Sequence, residues 1–175
     1  VPGTDVPGTD VPGTDVPTMP EPMNHRPMEI TCDDVRPTPP IDAPIPGGGC
    51  TTHEECTEGE NGRCTVFPRG FSQCTYDTCF QDDQCGSGPC ICEGDVLASG
   101  NHCKTGDCQV DSDCGVGGWC SPSFGGCGSY GGVVAYYCHT PEDECVDDSD
   151  CDGPGYCRFF EETGHWSCSD AECVG

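Results

Sequence analysis

Leucine is almost missing from this chain: Leu97 is the only one in 175 residues. From Cys50 onward, Ile, Leu, Val, Met and Phe together number 16 among 126 residues. That excludes a single oil-filled core, because too little apolar area is available to offset the entropy of ordering the chain. Basic residues are equally scarce, 6 against 31 acidic ones, for a net charge of −25. So few cations cannot displace the counterions of a nucleic acid, and the surface is repelled by anionic lipid headgroups. Nucleic acid and direct membrane insertion are therefore not expected as partners. Nor does any stretch approach the roughly 18 apolar residues of a membrane span. The catalytic signatures G-x-S-x-G, H-E-x-x-H and the phosphate loop are absent, as is the redox spacing C-x-x-C. His25, His53, His102, His139 and His165 stand in unlike contexts. No enzymatic activity is expected.

What is present is cysteine, 20 in all, with 26 Gly and 17 Pro. Cysteine above about 8–10 % in a short chain marks a disulfide scaffold and an oxidising compartment, hence an extracellular or cell-surface location. A secretion signal, if one is used, is expected to be already removed or to lie upstream. The cysteines are not spread evenly. Residues 1–49 hold 12 of the prolines and one cysteine, Cys32. This region predicts an extended arm, since proline at such density blocks both helix and central strand.

Residues 50–175 repeat on a cysteine frame. Four units are expected, at 50–78, 79–107, 108–144 and 145–175, each opening C-x5-C. In each, a Gly-containing loop, a cysteine, a variable stretch and a fourth cysteine follow. Self-similarity at a fixed period signals an array in which each unit contacts its neighbours. The framed cysteines are Cys50, Cys56, Cys64 and Cys74; Cys79, Cys85 and Cys103; Cys108, Cys114 and Cys138; and Cys145, Cys151, Cys157 and Cys168. One of Cys90 and Cys92 completes unit two, and one of Cys120 and Cys127 completes unit three; the other of each pair is extra. Cys32 and Cys173 fall outside the frame, so ten bridges are possible, with connectivity open. An intrachain bridge is expected for Cys32, to Cys50 or to one of the extra cysteines.

The segments TTHEEC, FQDDQC, QVDSDC and VDDSDC each predict a single helical turn. Hairpins are predicted over TVFPRGFSQC, turning at Pro68-Arg69-Gly70, and over RFFEETGHWSC, turning at Glu162-Thr163-Gly164; GGVVAYYCHT predicts a strand. The fold class is thus small and disulfide-rich: four tandem units of short β-hairpins and few helical turns, behind an extended Pro-rich arm. Aromatic residues gather in units three and four, at Trp119, Phe124, Tyr130, Tyr136, Tyr137, Phe159, Phe160 and Trp166. Those that do not shield disulfides are expected to form a contact surface.

Three motifs carry resemblances. The arm opens with three copies of Val-Pro-Gly-Thr-Asp and a partial fourth. It resembles the Val-Pro-Gly-x-y pentapeptides of elastin-like sequences, which implies a spacer or fibrous element. Thr4, Thr9, Thr14 and Thr18, each close to proline, are candidates for O-linked glycans. DSDCGVGGWC and DSDCDGPGYC resemble, in a general way, colipase-like and EGF-like disulfide modules, which implies binding or structure rather than catalysis. Asp148, Asp150 and Asp152 before Gly153 resemble the front half of EF-hand and thrombospondin-type calcium loops, and make calcium the candidate ion; no cofactor is required. The acid those loops place at position 12 is replaced by Phe159.

The leading expectation is an extracellular structural protein, a subunit of a filament, sheath or matrix that self-associates into a homopolymer by laying its arm on a neighbour. The alternative is a secreted or surface-displayed binding or adhesion module, calcium-loaded, on a stalk of repeats.

Overall fold

The computed structural model describes residues 19–34, 48–67, 71–92, 100–126 and 128–170. Each predicted unit forms its own minimal sheet. In unit one, β1 (Glu60–Phe67) pairs antiparallel with β2 (Phe71–Asp77). In unit two, β3 (Cys90–Ile91) pairs with β4 (His102–Cys103). Unit three pairs β6 (Cys120–Gly125) with β7 (Gly128–Cys138), the strand predicted from its β-branched and aromatic residues. Unit four pairs β8 (Tyr156–Phe160) with β9 (His165–Ser169). The unit-four turn closes as predicted, with the Gly164 N–H donating to Phe160 O at 2.8 Å and Gly164 at a φ of +73°. The Pro68-Arg69-Gly70 turn lies outside the described residues.

The four predicted helical turns are 3-10 turns at His53–Glu55, Asp82–Gln84, Asp111–Cys114 and Asp148–Asp150. One element was not foreseen. β5 (Thr105–Gly106), from the end of unit two, joins the sheet of unit three in parallel with β7, so that the order is β5-β7-β6.

Nine disulfides staple the described residues. Every unit uses the same two bridges, first to third cysteine and second to fourth: Cys50–Cys64 and Cys56–Cys74, Cys79–Cys90 and Cys85–Cys103, Cys108–Cys120 and Cys114–Cys138, Cys145–Cys157 and Cys151–Cys168. Cys90 and Cys120 are thereby the framed residues. Cys92 is the extra cysteine of unit two, and it bonds Cys32 of the arm. Cys127 and Cys173 lie outside the described residues. Burial follows the bridges: the hydrophobic core is four separate clusters, each centred on the cysteines of one unit or on Cys32 with those of unit two. Among the described residues the clusters stay separate, and what joins the units is the β5–β7 pairing, Ile91 packed on the unit-three cluster, and polar and aromatic contacts. Asp77 accepts the Asn101 N–H between units one and two, and the Gln109 amide donates to carbonyls of Asp82, Gly86 and Gly88 between units two and three. Trp166 donates to Cys138 O and stacks on His139 between units three and four.

Candidate functional site

The acids of the C-x5-C segment face the backbone of their own unit. In units two, three and four the third residue after the first cysteine is Asp82, Asp111 or Asp148, and its carboxylate accepts the N–H of the third cysteine at 2.8, 2.9 and 2.9 Å. In unit one His53 stands at this place, and its Nδ1 takes the same N–H of Cys64 at 3.0 Å. The fifth residue reaches back. Glu55, Gln84, Asp113 and Asp150 each accept the N–H of the residue after the first cysteine, at 2.8, 2.6, 2.8 and 2.8 Å. These are caps on 3-10 turns too short to hold themselves. They leave electrostatic traces. Hydrogen bonds from the Thr51 side chain and backbone hold Glu55 below its ordinary value, and the N–H groups of Asp147 and Val146 do the same for Asp150.

The arm is bound along the opposite direction of the array. The Met23 N–H sits on the Asp147 carboxylate of unit four at 3.0 and 3.1 Å. His25 lies between Glu21 and Asp111 of unit three, 3.0 and 2.7 Å away. The Arg26 backbone pairs with unit three on both sides, donating to Cys120 O at 2.9 Å and accepting from Asp111 N at 2.8 Å. Its guanidinium turns to unit two, meeting both oxygens of Asp82 at 3.0 and 2.9 Å and Gln109 O at 2.8 Å. This pair is nearly shut off from water, at 8 % and 1 % side-chain exposure. The Cys32 N–H donates to Phe80 O at 2.8 Å, and Asp34 accepts from Asn61 of unit one at 2.8 Å. Residues 21–34 therefore touch unit four first and unit one last. This segment of the arm lies on the units of its own chain, and the Cys32–Cys92 bridge fixes it there. The reason is chemical: Asp82, Asp111 and Asp147 stand in successive units along the array, and the arm supplies the cation, the imidazole and the N–H that meet them.

The aromatic residues divide by role. Trp166 and Tyr136 are buried against bridges. Tyr137 and Phe159 stack at 3.8 Å across units three and four, and the Arg158 guanidinium lies over Phe160 at 4.2 Å. With Phe124 they border an open groove of about 260 Å³ between the two hairpins. Burial, and then Glu161 accepting its hydroxyl hydrogen at 2.7 Å, push Tyr137 up to about 12. The side chain of Tyr130 lies outside the described residues.

Of the calcium candidates, Asp148 and Asp150 direct oxygens at Cys157 N–H and at the Val146 and Asp147 N–H groups, while Asp152 is exposed and its backbone carbonyl accepts from Gly155. Among the described residues, the sets of three close ligand atoms are all cysteines of neighbouring disulfides. Thr4, Thr9, Thr14 and Thr18 lie outside the described residues. Sequence reasoning missed His53 as the counterpart of the three aspartates, and missed Arg26. The alignment of units already held the first signal, because His53 stands three residues after Cys50 as Asp82 does after Cys79.

These features define a small, disulfide-rich tandem-repeat protein with an intramolecular arm. No family model, curated protein or solved structure matches the chain.

Proposed function

We propose that the chain is an extracellular structural protein, a rigid building block of a surface filament, sheath or matrix. The observation that supports this most is the arm, which contacts all four units in order and is covalently closed by Cys32–Cys92. The arm spans every joint between units whose cores are separate, adding to the contacts that already cross them. Nine disulfides need an oxidising environment, and no helix among the described residues is long and apolar enough to cross a membrane. Since residues 19–34 are engaged within the chain, contact between copies falls to other surfaces than this segment. Electron microscopy and sedimentation of native material test the reading. Polymers or ordered arrays are expected; a population of dispersed single particles at all concentrations overturns it.

A second reading, a secreted binding or adhesion module, is favoured by one feature, the open aromatic groove between units three and four. Dispersed particles that retain a soluble ligand would establish it in place of the first.

A further inference from the structure

We propose that the aromatic groove between units three and four is the docking site of the chain's own Val-Pro-Gly-Thr-Asp segment, within residues 11–18. Three independent features point there. The first is shape and chemistry. Tyr137 and Phe159 stack at 3.8 Å, and Phe160 presents a ring beside them. Flat aromatic faces along an open groove accept proline rings, and proline in a sequence leaves fewer conformers to lose on docking.

The second is charge. The Arg158 side chain makes no hydrogen bond or ion pair among the described residues, and its Nε is buried without a partner. A buried guanidinium nitrogen left unsatisfied is costly and calls for an acceptor. Each pentapeptide ends in aspartate, three residues after its proline. Glu161 is already occupied by the Tyr137 hydroxyl, and Glu162 stands exposed at the rim. The groove therefore suits one carboxylate on Arg158, set between apolar and proline residues, rather than a run of acids.

The third is delivery. The arm reaches unit four at its N-terminal side, with Pro22 buried and Met23 on Asp147. Met23 lines a small cleft together with Phe124, and Phe124 also lines the groove, so the two adjoin. From Met23 back to Asp15 is eight residues, about 25 Å of extended chain at about 3.1 Å each. The chain's own segment thus reaches the groove at a high effective concentration, which the segment of a second copy has to match from solution.

The test is nuclear magnetic resonance on the full, oxidised chain. In uniformly labelled protein, proton contacts are expected between the Val and Pro residues of 11–18 and the rings of Tyr137, Phe159 and Phe160. Arg158→Gln is expected to lower the docked-to-free ratio about tenfold, the loss of one charge-assisted hydrogen bond. The triple variant Asp5→Asn, Asp10→Asn, Asp15→Asn leaves every described contact intact and should give the same loss, which keeps the test valid if Arg158→Gln folds poorly. In a mixture of labelled and unlabelled chains, isotope filtering should find no contacts between molecules. The proposal is overturned if the repeat gives no contacts with the rings, if the contacts arise only between molecules, or if the triple aspartate variant leaves them unchanged.

Discussion

Asp148 and its counterparts Asp82 and Asp111 carry the same task, and their chemistry can be tested one residue at a time. Each carboxylate accepts the N–H of a cysteine that is itself buried. Removing the acceptor strands that N–H, so Asp148→Ala is expected to destabilise the protein by about 1.5–3 kcal/mol in chemical denaturation, the range for hydrogen bonds to charged groups. Asp148→Asn keeps an acceptor and should cost less than half as much. Equal losses for the two variants would show that the charge, not the hydrogen bond, is what matters. The depressed carboxylates also set an acid limit. Burial raises the Asp143 value, but hydrogen bonds from His139, Thr140 and Trp166 outweigh it and leave Asp143 low; Asp150 and Glu55 are low for their own N–H and hydroxyl partners. Groups held lower in the folded state stabilise it above their unfolded values, about 3.9 for Asp and 4.3 for Glu. That contribution is lost as pH falls through the folded values. The denaturation midpoint should therefore drop on acidification below about pH 4. A midpoint that rises there would contradict the assignment.

At the scale of elements, the arm is the piece that behaves unlike the rest. It forms no helix or strand over residues 19–34, and is held by side chains and single backbone bonds. Arg26 is its centre, and the Arg26–Asp82 pair is buried on both sides. Taking one partner from a buried pair leaves an uncompensated charge, which typically costs about 3–5 kcal/mol. Arg26→Met is therefore expected to release the arm between Met23 and Cys32, with faster amide exchange at Asp111 and Cys120, while unit one exchanges as before. Uniform acceleration across all units would show instead that the array unfolds as one body. The hairpins are fixed differently. Two residues before the third cysteine, every unit has glycine, at Gly62, Gly88, Gly118 and Gly155. A Cβ on Gly118 would lie 2.4 Å from Cys114 O, and one on Gly62 would lie 2.0 Å from Cys56 O. At Gly62, Gly88 and Gly118 the strand passes so close to the backbone that no side chain fits, while Gly155 is merely tight.

For the whole molecule, stability rests on covalent links. Each bridge of this kind contributes about 2–4 kcal/mol, mainly by limiting the unfolded chain. The buried residues form four cysteine-centred clusters in place of an aliphatic core. Full reduction and alkylation should therefore abolish near-ultraviolet circular dichroism without any denaturant. The signal of Trp166, locked between His139 and Phe159, is the natural reporter. Its survival after reduction would mean that packing and hydrogen bonds hold the units together unaided.

Much of this was decided by spacing along the chain. The four-unit frame, the 3-10 turns, the hairpins of units one and four and the strand of unit three follow from C-x5-C, turn residues and β-branched runs, because these are local properties read within a few residues. The pairing of first with third and second with fourth cysteine was not legible, since spacing allows several closures and only the hairpin register brings Cys64 opposite Cys74 and Cys157 opposite Cys168. Nor was the arm's course. Arg26 meets Asp82 across 56 residues and Met23 meets Asp147 across 124, and no local pattern encodes a contact between segments so far apart. The recurring aspartates could be read as a calcium loop or as solvated charge while only their order was known. Tertiary structure sets Asp82, Asp111 and Asp148 on cysteine N–H groups and Asp82, Asp111 and Asp147 on the arm, because buried backbone donors and a buried arginine need acceptors and these carboxylates stand within reach.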